Sequence, residues 1–478
     1  MLTHAFRAAL RASLLLSLLA GATVVARAEG PADPPAAPAT STPKPGELEL
    51  PFEKYTLDNG LEVILHRDPT APLVTVNVWY HVGSGDEVPG KSGFAHLFEH
   101  MMFQGTKHTG NDVHFPTLQA AGASDVNGTT NSDRTNYYET IPAHQVETAL
   151  WLESDRMGFL LAALTEASFK NQVDVVRNER RQRYDNVPYA KARFAIAAAL
   201  YPEGHPYRYM TIGRHEDLEQ ASIDDVRGFF VKWYVPANAT LMVAGDFDPA
   251  DMKALVAKWF GGLGMADGKA APRPAKVPVA DPAIAKKTTL DVPDGFAKLV
   301  RIQRTYAGPA MLSDDSYPLE VLLEVLGADA WGRLSKRLVI QNPLCSSVSA
   351  MLDAATYNGK IVISATLKPG ASRAKVAKII DEEVARILKE PLSEAELKRV
   401  LVNTESQFVW GLEDLAARAD LLQHFNHYAG DPGYAPTYLA KFRAVTRDAV
   451  LAGAKKWLAK PYVEVVTVPA APAPGAPK

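Results

Sequence analysis

The sequence is poor in the features that would commit it to a disulfide scaffold, a nucleic-acid surface or a membrane. One cysteine, Cys345, occurs in 478 residues, so no internal disulfide can form. Preceded by Leu344 and followed by Val348, it reads as a buried, unreactive thiol. Neither sign of charge dominates: 51 Lys and Arg stand against 54 Asp and Glu, a formal net charge of −3. That balance supplies no field to hold nucleic acid or an anionic membrane. Long apolar runs are missing beyond residue 25, so nothing downstream reads as a membrane span of ~20 apolar residues.

What is present describes a globular chain that leaves the cytoplasm. Hydrophobic residues make up 47% and charged residues 22%, the balance of a soluble protein. The length exceeds what one core supports and implies two to four domains. Arg7 and Arg11 precede an apolar run from Ser13 to Val25, and Ala26-Arg27-Ala28 fits a small-x-small cleavage site. Residues 1–28 therefore read as an export signal, with an uncleaved anchor as the alternative that the short run disfavours. No cysteine follows the cleavage site to carry a lipid. In a Gram-negative source the mature protein would be periplasmic. Residues 29–48 form a Pro/Ala-rich linker and 469–478 a similar, disordered tail.

Between these ends lie two segments, 49–266 and 288–468, separated by a Pro/Ala/Lys-rich stretch over 267–287. The first opens with a hairpin, Tyr55–Leu57 and Leu61–Leu65 around Asp58-Asn59-Gly60, then a strand over 73–82. A helix over 93–103, paired strands over 124–130 and 135–140, helices over 143–160 and 166–185, a strand over 239–244 and a helix over 249–260 follow. The second segment repeats the order: strands in 288–307, helices over 315–327 and 331–340, strands over 345–352 and 359–366, helices over 371–388 and 393–410. The fold class is α+β: two homologous halves, each a mixed or antiparallel sheet with helices packed on it.

The chemistry concentrates in His96-Leu97-Phe98-Glu99-His100. At 3.6 residues per turn the two histidines stack one turn apart, with Glu99 on the same side. Two imidazoles so placed can grip one Zn²⁺, and a neighbouring carboxylate can take a proton from its water. This is the inverted order of the H-E-x-x-H zinc-protease motif. The second half has Leu322-Leu323-Glu324-Val325 at the corresponding place, so only the first can hold the metal. A third ligand is needed, and Glu179 is the best candidate: Val175 and Val176 place it on an apolar helical stripe. A carboxylate turned inward is costly unless paired or bound to metal. An ion pair to Arg183 is the alternative role for Glu179; Glu166, Asp174 and Asp133 are weaker ligand candidates.

Together with Asn127-Gly128-Thr129-Thr130, Asp133-Arg134-Thr135-Asn136-Tyr137-Tyr138, His205-Pro206-Tyr207 and Tyr234-Val235-Pro236-Ala237-Asn238, these residues resemble the M16 (pitrilysin-like) zinc metallopeptidases. The likeness is to the shorter M16B branch, which includes the mitochondrial processing peptidases. It implies a LuxS/metallopeptidase-like pair of α/β-sandwich halves. It also implies one Zn²⁺ per chain on His96, His100 and Glu179, with Glu99 as general base. Asn127 would contact the substrate backbone, or serve only as a turn residue. Substrate would add as a strand at a sheet edge. His205 reads as structural.

Two departures from the family pattern stand out. A second glutamate that often lies seven residues before the ligand glutamate is Gln172 here, which removes a charge behind the ligands. An Arg and Tyr pair that stabilises the substrate carbonyl in related enzymes falls at Val339 and Ser346, with Arg337 two positions out of register. The expectation is therefore a catalytic subunit of a heterodimer, its M16-like partner supplying that pair. A non-catalytic peptide-binding scaffold and a self-sufficient homodimeric peptidase are the alternatives.

Overall fold

The computed structural model describes residues 48–470 except 267, 277, 278, 280, 281 and 283. The export signal, the linker up to residue 47 and the tail from 471 lie outside the described residues. The first half is built on β1 (Glu53–Thr56), β2 (Glu62–Arg67), β3 (Leu73–Tyr80), β4 (Ser124–Thr130), β5 (Thr135–Pro142) and β6 (Ala239–Gly245). These pair in the order β1-β2-β6-β3-β5-β4, with β2 and β6 parallel. Strand β6, Ala-Thr-Leu-Met-Val-Ala-Gly, is buried throughout, as a strand covered on both faces must be. Strand β4 is the polar edge, Ser-Asp-Val-Asn-Gly-Thr-Thr, mostly open to solvent.

After a small hairpin of β7 (Met265–Ala266) and β8 (Lys269–Ala270), the second half adds β9 (Thr288–Asp294), β10 (Arg301–Gly308), β11 (Cys345–Ala354), β12 (Gly359–Leu367) and β13 (Val463–Pro469). Their order is β11-β12-β10-β13-β9, with β9 and β13 parallel. Matching β2 to β9, β3 to β10, β4 to β11, β5 to β12 and β6 to β13 makes the two orders identical, β1 being the addition. The repeat read from the sequence is thus present, and β13, which that reading did not name, completes it as the counterpart of β6.

Each half has its own core. One gathers Val76, Val78, Leu97, Phe98 and Leu150; the other gathers Ile302, Leu322, Leu326, Ile363 and Ile380. The outer faces are covered by exchange. Helix Leu415–Ala429 of the second half lays Ala419 and Leu422 on Ile64, Met242 and Ala244 of the first sheet. Helix Ala190–Leu200 of the first half lays Ala192 and Ile196 on Val463 and Val465 of the second. Polar groups seal the first contact: Gln423 Nε2 donates to the carbonyls of Asn77 and Thr240 at 2.9 and 2.8 Å. Among the described residues no helix is long and apolar enough to cross a membrane.

Several boundaries differ from the sequence reading. The motif helix is Phe94–Met101, shorter than 93–103; at its start Gly93 takes a left-handed φ of 91° and serves as the N-cap. The expected helix over 166–185 is α-helical only to Arg180 and widens into a π turn over Arg181–Asp185. That over 331–340 is α-helical only for Arg333–Ser335 before a π segment, Lys336–Gln341. Strand β13 runs to Pro469, one residue into the segment read as a tail.

Candidate metal centre

The motif helix is fixed from below and from its N-terminus. Phe94, Ala95, Leu97, Phe98 and Met101 are buried, and the Phe98 ring lies 4.7 Å from that of Tyr234 and 5.8 Å from that of Phe230. The Glu87 carboxylate accepts from the N–H groups of Gly93 (3.0 Å) and Ala95 (2.8 Å), which the first turn otherwise leaves unpaired. The close approach at this end needs glycine: a Cβ on Gly93 would lie 2.9 Å from the Gly213 Cα. With one face committed to the core, His96 and His100 are left facing the second wall of the site.

That wall is helix Glu166–Arg180. Thr165 caps it by accepting from the Ser168 N–H, and it buries Phe169, Gln172, Val173 and Val176. Val175, counted on the inward stripe from the sequence, is exposed; Val176 at i−3 is what turns Glu179 inward. Glu179 Oε2 lies 3.6 Å from His96 Nε2 and 3.1 Å from His100 Nε2. Its other oxygen meets Arg183 Nη1 at 2.8 Å, so the ion pair weighed as an alternative exists alongside the histidine contacts. Burial lowers the His96 imidazolium pKa to about 4, which leaves a free nitrogen lone pair at neutral pH. Burial pushes the Glu179 carboxyl up, but the His100 hydrogen bond and the nearby His96 and Arg183 bring it below its ordinary value.

This donor set fits a zinc ion. One donor atom from each of the three side chains lies within 4.8 Å of the others. Two imidazole nitrogens and a carboxylate oxygen meeting at one point form a His₂Glu set that leaves a fourth position open. Among the described residues His96 Nδ1 is buried with no hydrogen-bond partner, so no carboxylate of theirs backs this ligand. Gln172 is buried on the ligand helix two turns before Glu179 and brings no charge.

Glu99 faces the edge hairpin rather than Glu179. Thr130 Oγ1 donates to Glu99 Oε2 at 2.6 Å. Burial raises the Glu99 carboxyl, and the Thr130 bond opposes part of that rise. Gly128 permits the approach of β4, since a Cβ there would sit 3.1 Å from Glu99 Cγ and from Phe103 Cε2. Asn127 is exposed on β4, its Oδ1 accepting from the Gly128 N–H at 2.9 Å. In the sequence Gly128 and Thr130 stand out only as members of the run Asn127-Gly128-Thr129-Thr130. Neither carries a local signal of its role, because the partner lies about thirty residues away in a different element.

The remaining candidates settle elsewhere. Glu166 pairs with Lys170 and Asp174 with Arg177, while Asp133 accepts from Tyr207 and Tyr428; none joins the cluster. His205 bonds the Tyr207 N–H and the Asn358 side chain, a structural post between the halves. Burial pushes the Cys345 thiol up to about 11, which keeps it unreactive. Arg337 is committed to Glu382 and Glu383, Ser346 Oγ donates to the Thr366 carbonyl, and Val339 packs on the second core.

Among the described residues, one other group brings three donors together: buried His114, Glu139 and Glu153. It is a poor cation site. Arg156 already bonds both oxygens of Glu153, and a divalent ion would leave the cluster with excess buried positive charge. Burial, and then the charge of Glu153, raise the Glu139 carboxyl well above its ordinary value, so a proton supplies the balance.

Comparison with known proteins bears on the whole arrangement. The family model described as Insulinase (Peptidase family M16) matches residues 62–207, and that described as Peptidase M16 inactive domain matches 220–402. The zinc protease PqqE of Helicobacter pylori is 29% identical over 375 residues, covering 78% of this chain and 83% of that protein. The probable zinc protease PqqL of Escherichia coli is 31% identical over 213 residues, 42% of this chain and 22% of that one. Among solved structures, a protease from Helicobacter pylori superposes with a TM-score of 0.81 at 26% identity, over 88% of this chain and 100% of that one. The periplasmic protease PqqL from Escherichia coli gives 0.73 at 19% identity, over 90% of this chain and 50% of that one.

Proposed function

The chain belongs to the M16 peptidase family, and on that premise we propose that it is a zinc-dependent endopeptidase acting on peptides or unfolded polypeptides held in extended form. One observation carries the reading: His96 and His100 turn their Nε2 atoms onto one oxygen of Glu179, at 3.6 and 3.1 Å, with Glu99 on the same helix. His96, His100 and Glu179 would hold one zinc per chain. When bound, the ion supplies Lewis acidity to a water and to the scissile carbonyl. Glu99 takes the proton of the attacking water and passes it to the leaving amine. The 2.6 Å bond from Thr130 fixes one Glu99 oxygen and thereby orients the other.

Strand β4, open along its outer edge, receives the substrate as an added strand, and Asn127 contacts its backbone. A scaffold role would go with a broken motif, whereas all three ligands are intact and convergent and the base is intact on the same helix. The oxyanion is held by an Arg and Tyr pair from an M16-like partner subunit, because Val339 and Ser346 offer no such groups and Arg337 is engaged. The Escherichia coli PqqL chain, half of which this chain covers, has room for a second unit of similar size. The apolar N-terminal run with its Ala-Arg-Ala site supports export, and that relative is described as periplasmic.

Glu99→Gln should keep the zinc and lose hydrolysis of an unstructured peptide by roughly 10²–10⁴-fold, the usual contribution of a general base. His96→Ala or His100→Ala should lose both zinc and activity. Retained hydrolysis in Glu99→Gln would sink the mechanism. Full activity of the chain purified alone would replace the heterodimer with a self-sufficient homodimer.

A further inference from the structure

The turn joining β4 to β5 is where the zinc-free half touches the hairpin that orients the base. Asn131 closes this turn locally: its Oδ1 accepts from the N–H groups of Asp133 (2.8 Å) and Arg134 (2.9 Å). The Asp133 side chain is thereby turned outward from the hairpin, yet it is buried. Its Oδ1 accepts from Tyr207 Oη at 2.6 Å, and its Oδ2 accepts from the Thr356 N–H at 2.9 Å and from Tyr428 Oη at 3.2 Å. Tyr428 lies on the exchanged helix Leu415–Ala429. Thr356 lies in the β11–β12 turn, the counterpart of Asp133's own turn in the repeat. The equivalent hairpins of the two halves therefore meet at this one carboxylate.

Two short paths lead from that meeting point to the site. Thr130, three residues before Asp133, ends β4 and donates to Glu99 Oε2 at 2.6 Å. The carbonyls of Asn131 and Ser132 accept from the N–H groups of Ser84 (3.0 Å) and Gly85 (2.8 Å), in the loop whose Glu87 caps the motif helix. A Cβ on Gly83 would lie 2.4 Å from the Asn131 carbonyl oxygen, so loop and turn are packed without slack.

We propose that Asp133 is a positioning residue: it sets the zinc-free half against the β4–β5 turn and so holds Thr130 and Glu99 in register for turnover. The inference rests on the reading of Glu99 as the base. Acceptors that are charged make stronger hydrogen bonds than neutral ones, and three donors converge on this carboxylate. A displacement of about 1 Å at a reacting group costs on the order of 100-fold in rate. The second half thus contributes to catalysis through a hydrogen-bonded contact, without lending a ligand.

The test uses the zinc-loaded protein in its native assembly, with a quenched-fluorescent unstructured peptide as substrate. Asp133→Ala should lower kcat by roughly 10–100-fold, with KM within about twofold and zinc content unchanged. Asp133→Asn, which keeps the shape and most of the bonds, should recover most of kcat. Tyr428→Phe removes only the hydroxyl that bonds Asp133 and Asn131 and should show a smaller loss of the same kind in a securely folded protein. The discriminating measurement repeats Asp133→Ala in a Thr130→Val background, where the loss should shrink severalfold because the Thr130 path is already cut and only that through the Ser84–Glu87 loop remains. An undiminished loss in that background, or a wild-type kcat in Asp133→Ala, overturns the proposal. If the wild type shows no Glu99-dependent hydrolysis, the peptidase reading itself falls and takes this inference with it.

Discussion

Glu320 sits inside helix Ser316–Gly327 with neither carboxylate oxygen bonded among the described residues. Burial alone holds its carboxyl well above the ordinary value. The folded chain therefore keeps a proton over a pH range in which the unfolded chain has already lost it. Stability from this group is full below the unfolded value near 4.5 and declines as pH rises, by about 1.4 kcal/mol per pH unit until the folded value is reached. Glu320→Gln removes that decline, so its melting-temperature gain over wild type should grow from pH 5 to pH 8. An equal gain at both pH values would show that the carboxyl does not titrate there. Glu179 shows the opposite solution, a half-buried carboxylate with His and Arg partners. Its inward turn was legible because a glutamate three residues after Val176 on an apolar stripe demands a partner. Thr130 and Gly128 were not, since what they do depends on β4 lying across Glu99, and no local spacing encodes a contact between distant elements.

The motif helix, Phe94–Met101, has eight residues, too few to persist without its surroundings. Its hold comes from the buried Phe98 cluster and from the Glu87 carboxylate on two N–H groups of its first turn. Losing such a cap costs about 1 kcal/mol, and here that cost falls on the element that carries two ligands. Glu87→Ala should lower the melting temperature and weaken zinc binding by roughly tenfold, the scale of lost support behind metal ligands; titration with a competing chelator reads the second effect. Unchanged affinity would mean that the helix is held by its apolar face alone. The elements named from the sequence were placed to within a few residues, while helices Ile223–Trp233 and Arg447–Trp457 went unnamed despite their apolar period. Helix Ala190–Leu200 also went unnamed, because Ala-Lys-Ala-Arg-Phe-Ala-Ile-Ala-Ala-Ala-Leu carries too few large side chains to show a period, although it packs on the second sheet. The π segments at Arg181–Asp185 and Lys336–Gln341 likewise leave no pattern distinct from an α-helix.

At the scale of the molecule, the repeat was legible as an order of strands and helices, but the exchange of outer helices was not. Exchange needs apolar surface on both faces of a sheet, and β3 and β6 carry it, yet a sequence does not say which helix supplies the cover. Where helix Leu415–Ala429 crosses the first sheet, His427 Nδ1 meets His81 Nδ1 at 2.7 Å, and His81 Nε2 pairs with Thr240 Oγ1 at 2.9 Å. Two facing Nδ1 atoms bond only if one donates and the other accepts, so the accepting ring must be neutral. Burial lowers His81 to about 3, with Arg273 and Lys276 adding to the effect and Glu62 opposing it. Burial, then His81 and Lys276, lower His427 well below its ordinary value. Because both folded values lie below the unfolded 6.5, the unfolded chain binds protons first as pH falls. Stability from this contact is full above about pH 6.5 and is lost below it, by up to about 1.4 kcal/mol per pH unit for each ring. The joint between the halves should therefore be acid-sensitive in the absence of any metal. With zinc chelated, the wild-type melting temperature should drop steeply from pH 7 to pH 5, and the double replacement His81→Asn with His427→Asn should flatten that slope. The absolute stability of the double variant is immaterial to the outcome. A slope as steep as wild type would place the acid sensitivity elsewhere and leave the two rings as packing alone.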